Sequence, residues 1–154
     1  METIEKSVEI LNDLIRINKD RIEGYEHAIN ELEDDDFDLK TIFQNYREES
    51  IRNVLALTSE VEQAGDDAEH ATITSGALHR AWLDLKASFA GHSRNSILEE
   101  CERGEDAIRR AYSQALDYNS GLSPELRPLL TTQEQAVFNA HDKIKGLRDV
   151  VTHN

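Results

Sequence analysis

Cysteine is nearly absent. Cys101 stands alone, and one thiol cannot close an internal disulfide, so a reducing compartment is expected. Proline occurs only at Pro124 and Pro128, and the glycines fall mostly where helical patterns stop. No run approaches the roughly 20 apolar residues of a membrane span. The opening METIEKSVEI has no apolar stretch of signal-peptide length, and a cytoplasmic location is the resulting expectation. Positive charge is scarce as well: 17 Lys and Arg face 31 Asp and Glu, a formal net charge of −14. No basic stripe interrupts the excess, so nucleic acid and anionic membranes are excluded as partners by repulsion. Divalent cations and basic protein surfaces are what such a charge tolerates. A Gly-rich phosphate loop, a Walker lysine and a hydrolase elbow are all missing.

What the chain has is helical periodicity. Ile4, Val8, Leu11, Ile15, Asn18, Ile22, Tyr25, Ile29 and Leu32 are spaced alternately by 4 and 3, the seam of one long helix, with Leu14 and Ile17 widening its apolar face. The acids after Leu32 suit the N-terminal dipole of the next helix, with Asp36 or Asp38 as its cap. That second helix is expected from about Leu39 to Ala64, with an inner face of Ile42 or Phe43, Tyr46, Glu49 or Ser50, Asn53, Leu57 and Val61, and Gly65 as its stop. A short helix from Gly76 to Phe89 carries Leu78, Trp82, Leu85 and Phe89 on one side. The third long helix is expected to open on the capping box Ser96-Ile-Leu-Glu99. Its seam reads Leu98, Cys101, Glu105, Ile108, Tyr112, Ala115 and Asn119, and Gly121 closes it. Ser123-Pro124 opens the fourth, whose seam is Leu130, Gln133, Val137, Ala140, Ile144, Leu147 and Val151.

These patterns predict an all-α four-helix bundle, a single domain over 1–154, with a short helix in the crossover segment 66–95. Short connections make the first and second helices, and the third and fourth, antiparallel neighbours. The longer segment between the pairs can cross the length of the bundle, or can sit compactly at one end and give plain up-down-up-down order.

Asn18, Tyr25, Asn53, Glu105 and Gln133 interrupt otherwise apolar seams, with Glu49 beside them. A buried carboxylate costs several kcal/mol unless it is paired, hydrogen-bonded or metal-bound, so these residues are expected to share one level. In the crossover arrangement Tyr25 lies opposite Tyr46 and Ile22 opposite Glu49. Glu102, Glu105 and His141 come to the same height. The candidate cluster is Glu23, Tyr25, Glu26, Tyr46, Glu49, Arg52, Glu102, Glu105 and His141, and within it a buried polar network of Tyr25, Tyr46, Glu49, Arg52, Glu102 and Glu105. Cys101 reads as an inert core thiol, and Gly104 inside a helix as a mark of close approach.

The runs Leu-Asn-Asp-Leu-Ile at 11–15, Gly-Tyr-Glu at 24–26, Leu-His-Arg-Ala-Trp at 78–82, Leu85-Lys86 and Cys-Glu-Arg-Gly-Glu-Asp at 101–106 resemble a bacterial four-helix-bundle family of unknown function in the ferritin-like superfamily. The resemblance spans nearly the whole chain and implies no activity. Ferritin-like di-iron sites take one Glu from each of two helices and a Glu-x-x-His pair from each of the others. Set on that pattern, Glu26 or Glu23 and Glu105 or Glu102 supply single carboxylates. The pairs read Glu49-x-x-Arg52 and Phe138-x-x-His141, and Arg has no lone pair to give a metal. The expectation is a degraded site, a carboxylate–Arg–Tyr network without a cofactor. The alternative is a residual iron, manganese or zinc site on Glu26, Glu49, Glu105 and His141. Three functions follow: a non-enzymatic structural, stress-related or partner-binding module; a metal-binding or redox protein; or a small-molecule binder near Tyr25, Tyr46 and Trp82. The apolar face of the crossover, with His79 beside Trp82, suggests a homodimer.

Overall fold

The heptad-like seams become helices at nearly the expected places. In a computed structural model, which describes residues 2–65 and 93–153, four α-helices and no strand lie among the described residues. They are α1 (Glu2–Glu31), α2 (Phe37–Gln63), α3 (Arg94–Leu116) and α4 (Arg127–His153), the last preceded by a single 3-10 turn at Pro124–Leu126. The crossover helix expected at Gly76–Phe89, with Trp82 and His79, lies outside the described residues.

Helix direction follows from which residues meet. Arg21 and Glu26 of α1 pair with Glu49 and Arg47 of α2, so the two run antiparallel. Asn18 and Tyr25 of α1 bond Tyr112 and Glu105 of α3, so α3 also runs against α1 and therefore parallel to α2. Arg94, at the start of α3, pairs with Asp36 and Asp38 at the start of α2. The end of α2 lies instead beside the first turns of α1, where Ser7, Val8, Glu60, Gln63 and Ala64 line one cleft. The chain thus leaves α2 at one end and enters α3 at the other. Up-down-up-down order would have placed both at the same end.

Local signals set the boundaries. Asp36 occupies the N-cap position of α2 but makes no side-chain cap bond; its carboxylate goes to Arg94. Asp38 sits in the first turn, where the helix dipole favours an acid. Gly65 follows α2 with φ of 81°, a left-handed conformation that costs a glycine little. α3 begins earlier than its capping-box pattern suggests: Ser93 is the cap, its Oγ accepting from the Ser96 N–H at 3.1 Å. It also ends earlier, at Leu116, which leaves Asn119 exposed outside the helix. Gly121 has φ of 88°, and a Cβ there would come within 3.1 Å of the Lys6 side chain. The loop can therefore lie against the first turns of α1, where the Ser123 N–H donates to Ser7 Oγ at 2.9 Å.

Burial refines the α1 seam. Val8, Leu11, Ile15, Asn18, Tyr25 and Leu32 are buried as expected, but Ile22 and Ile29 are only half-buried. A second stripe, Leu14, Ile17, Arg21, Gly24 and Ala28, is fully buried instead. Its spacings of 3 and 4 run beside the first, so α1 buries two adjacent faces. In α4, Leu130, Gln133, Val137, Ala140 and Ile144 form the inner stripe. Truncating Ile144 to Ala is expected to cost about 2–5 kcal/mol, and Ile22→Ala clearly less, since Ile22 keeps solvent contact. Urea melts of the two variants check this; equal losses would mean that the first seam alone faces the core.

Candidate functional site

Arg21 projects from the second stripe of α1 and is completely buried. A guanidinium there must find acceptors for its fixed fork of donors, because water cannot supply them. Nε donates to Glu105 Oε1 at 2.7 Å and NH2 to Glu105 Oε2 at 3.2 Å, a bidentate pair with α3. NH1 donates to Glu49 Oε1 at 2.8 Å and to Ser50 Oγ at 2.9 Å, both on α2. The Tyr25 hydroxyl adds a 2.5 Å bond to Glu105 Oε1. The Tyr25 and Tyr46 rings each lie 5.6 Å from the guanidinium carbon, in cation–π range. Their ring centroids are 5.9 Å apart.

The polar layer continues toward α4. Ser50 Oγ donates to Asn18 Oδ1 at 2.8 Å, and Asn53 Nδ2 donates to the same oxygen at 3.2 Å. Asn18 Nδ2 donates to the Leu14 carbonyl at 2.8 Å and to the Tyr112 hydroxyl at 3.0 Å. That hydroxyl donates to Gln133 Oε1 at 2.8 Å. One connected chain of bonds therefore runs from Glu49 to Gln133 and touches all four helices. Such layers are stabilising only when each member is satisfied.

The electrostatics follow from burial. Burial works against the charge on Arg21, but Glu105, Tyr25 and Glu49 outweigh it and raise its pKa. Burial pushes the Glu105 carboxyl above the usual carboxylate range, against the pull of the Arg21 charge and of hydrogen bonds from Arg21 and Tyr25. Burial and then the Glu105 charge push the Tyr25 hydroxyl well up. They also lift Tyr46 to about 12, and burial alone dominates the rise at Tyr112. Cys101 is buried and free, its thiol pushed well up first by burial and then by Glu105, which disfavours the reactive thiolate.

Of the residues expected in the network, Tyr25, Tyr46, Glu49 and Glu105 come together, and they do so around Arg21. The guanidinium among the acids is Arg21, not Arg52. Arg52 precedes the buried Asn53 and is carried to the exposed side of α2. Glu102 turns outward to Arg148 of α4, 3.0 Å away. Glu26 pairs with Arg47 at the surface, and Glu23 is exposed. His141 lies beside Asp106, 3.8 Å from Nε2, in a polar groove of about 460 Å³ between α3 and α4 with Glu99, Glu102, Arg103 and Arg148. Phe138 is 40% exposed under Arg109. The Phe138-x-x-His141 pair thus lies off the inner stripe, which holds Val137 and Ala140 at that level. Glu26, Glu49, Glu105 and His141 do not converge. Among the described residues, no group of three or more His, Cys, Asp or Glu side chains is placed to hold a metal ion. Arg21 was missed because it is off the Ile4-to-Leu32 seam; the signal was the spacing Leu14, Ile17, Arg21, Gly24, Ala28.

A family model described as Domain of unknown function (DUF2383) matches residues 6–118. The matched stretch holds every member of the polar layer named above except Gln133. No curated protein and no solved structure matches the chain.

The tyrosines provide a readout of the layer. A group whose pKa is higher folded than unfolded contributes stability that is complete below its unfolded value, about 10 for tyrosine, and lost as pH rises through the folded value. Stability should therefore fall steeply above about pH 10. The Tyr25 and Tyr112 phenolates should appear only together with loss of helicity. Absorbance at tyrosinate wavelengths, followed alongside circular dichroism, checks this. Ionisation of all four tyrosines in a fully helical chain would contradict the burial described.

Proposed function

Since the chain belongs to the DUF2383 family, we propose from its geometry that it is a non-enzymatic structural and partner-binding bundle whose central layer is a charge-compensated network rather than a working metal centre. One observation carries the reading: the buried guanidinium of Arg21 lies between Glu105 and Glu49, as a cation would. Its donors engage both carboxylates, so the acids are compensated by the chain itself. The crossover topology and the Glu residues of α2 and α3 at one level support a ferritin-like ancestry. The position of His141 beside Asp106 in the groove between α3 and α4, off the inner stripe and apart from Glu49 and Glu105, supports degradation of any such site. The one thiol, Cys101, is buried and its pKa is pushed well up, which disfavours the thiolate that a nucleophile needs.

What this network does is set register. Each helix offers a polar residue at one height, and a slip of α1 by one turn would strand Arg21 and Glu105 without partners. Replacing one partner of a buried pair costs about 3–5 kcal/mol, whereas apolar replacement of all of them is often nearly neutral. Arg21→Met should therefore destabilise strongly, and the combination with Glu105→Leu and Glu49→Leu should recover much of the loss. Manganese, iron or zinc added to metal-free protein should leave its Tm unchanged. A metal-dependent rise in Tm, abolished by Glu105→Gln, would overturn the reading in favour of a metal-binding protein, because a ligand bound to the native state alone must stabilise it.

A further inference from the structure

The bonds of the central layer divide unevenly between two helix pairs. Within α1–α2, Arg21 keeps Glu49 and Ser50, and Asn18 keeps Ser50 and Asn53. Within α3–α4, Tyr112 keeps Gln133. Across the boundary the layer has the bonds of Glu105 to Arg21 and Tyr25, and that of Asn18 to Tyr112. All of these join α1 to α3. Outside the layer, the boundary is clasped by Arg94 with Asp36 and Asp38 at one end and by Ser123 with Ser7 at the other. The packing has the same division. Among the described residues, the backbones of α1 and α2, and of α3 and α4, approach each other at many more positions than those of α1 and α3.

We infer that the bundle has a built-in parting plane between α1–α2 and α3–α4, and that it opens there, with both pairs still helical, before it unfolds. The charges explain why. If α3 moves away, the Arg21 guanidinium remains compensated by Glu49 and held by Ser50 in its own pair. Within the layer, Glu105 is then the one charge released, and water solvates it at once. Ion pairs across a buried seam offer little net resistance to parting, because rehydration of the charges offsets their lost attraction. Partly exposed clasps such as that of Arg94 add little more. Among the described residues, the more extensive helix-to-helix approaches lie inside each pair. Local and sub-global openings of this kind follow the least-packed boundary of a fold.

Distances between labels test this on the full chain. Cysteines at the exposed positions Arg16, Leu55, Gln114 and Thr131 take fluorescent probes, while buried Cys101 stays unlabelled in the folded state. The pairs Arg16/Leu55 and Gln114/Thr131 report within each helix pair, and Arg16/Gln114 reports across the plane. In rising urea, the Arg16/Gln114 distance should lengthen at a lower concentration than either other distance and than helicity is lost. Glu105→Gln should move that first transition to lower urea and leave the within-pair transitions nearly in place. Tyr25→Phe, which removes one hydroxyl from the plane, should shift it in the same direction by less, and serves if Glu105→Gln does not fold. Simultaneous change of all three distances with helicity, or earlier separation of α1 from α2, would overturn the inference. Neither outcome bears on metal binding, so the reading of the central layer is tested separately.

Discussion

A fully buried guanidinium bonded to two carboxylates from different helices is the constraint on which the rest of this structure depends. Arg21 could not remain buried inside a bundle without Glu105 and Glu49. Glu105, fully buried in its turn, could not remain there without Arg21 and Tyr25. Each residue makes the position of the others obligatory. The interaction is directional: the guanidinium is planar, and its bidentate contact with Glu105 fixes the height and the rotation of α3 against α1. Apolar seams tolerate small slips, since one aliphatic contact resembles the next. A bidentate ion pair in the core does not.

The same constraint accounts for topology. Glu105 precedes Tyr112 in α3, and Tyr25 follows Asn18 in α1, so the Glu105–Tyr25 and Tyr112–Asn18 bonds require the helices to run in opposite directions. Since α2 also runs against α1, α2 and α3 run parallel, and the end of α2 lies at the opposite end of the bundle from the start of α3. The crossover thus brings α3 beside α1 in the direction that the polar layer needs. Helix α4 joins the layer only through Gln133 and otherwise presents aliphatic residues inward. Its polar partners His141 and Arg148 lie on the outer side, toward Asp106 and Glu102.

Much of this was legible in the residues, for a physical reason. Four seams of period 3.5 to 3.6 can be buried together only as a bundle, and the polar interruptions at Asn18, Tyr25, Asn53, Glu105 and Gln133 marked one level because none could be buried alone. Two short connections sufficed to pair the helices and bring Tyr25 to Tyr46. The identity of the counter-charge was not legible in the same way. Arg21 lies on a second face of α1 that is buried only because two helices flank it, and a single seam cannot reveal a second neighbour. Arg52 was the natural choice, standing in the His position of a Glu-x-x-His pattern, but adjacent positions on a helix point about 100° apart, and Asn53 takes the inward direction. His141 was brought to the correct height and yet lies off the inner stripe, in the groove beside Asp106; height follows from chain length, whereas facing depends on the stripe chosen.

The central claim is that Arg21 is a protected, charged guanidinium bonded to Glu105. Nitrogen-15 NMR of the arginine side chains tests it most directly. Among the described residues, Arg21 is the one arginine that is completely buried, so its Nε–H should give a sharp resonance that persists at neutral pH and exchanges with solvent orders of magnitude more slowly than those of exposed arginines. The resonance should vanish in Arg21→Lys and shift in Glu105→Gln. A spectrum in which every arginine Nε–H exchanges rapidly, or in which the protected signal is untouched by Glu105→Gln, would contradict the account.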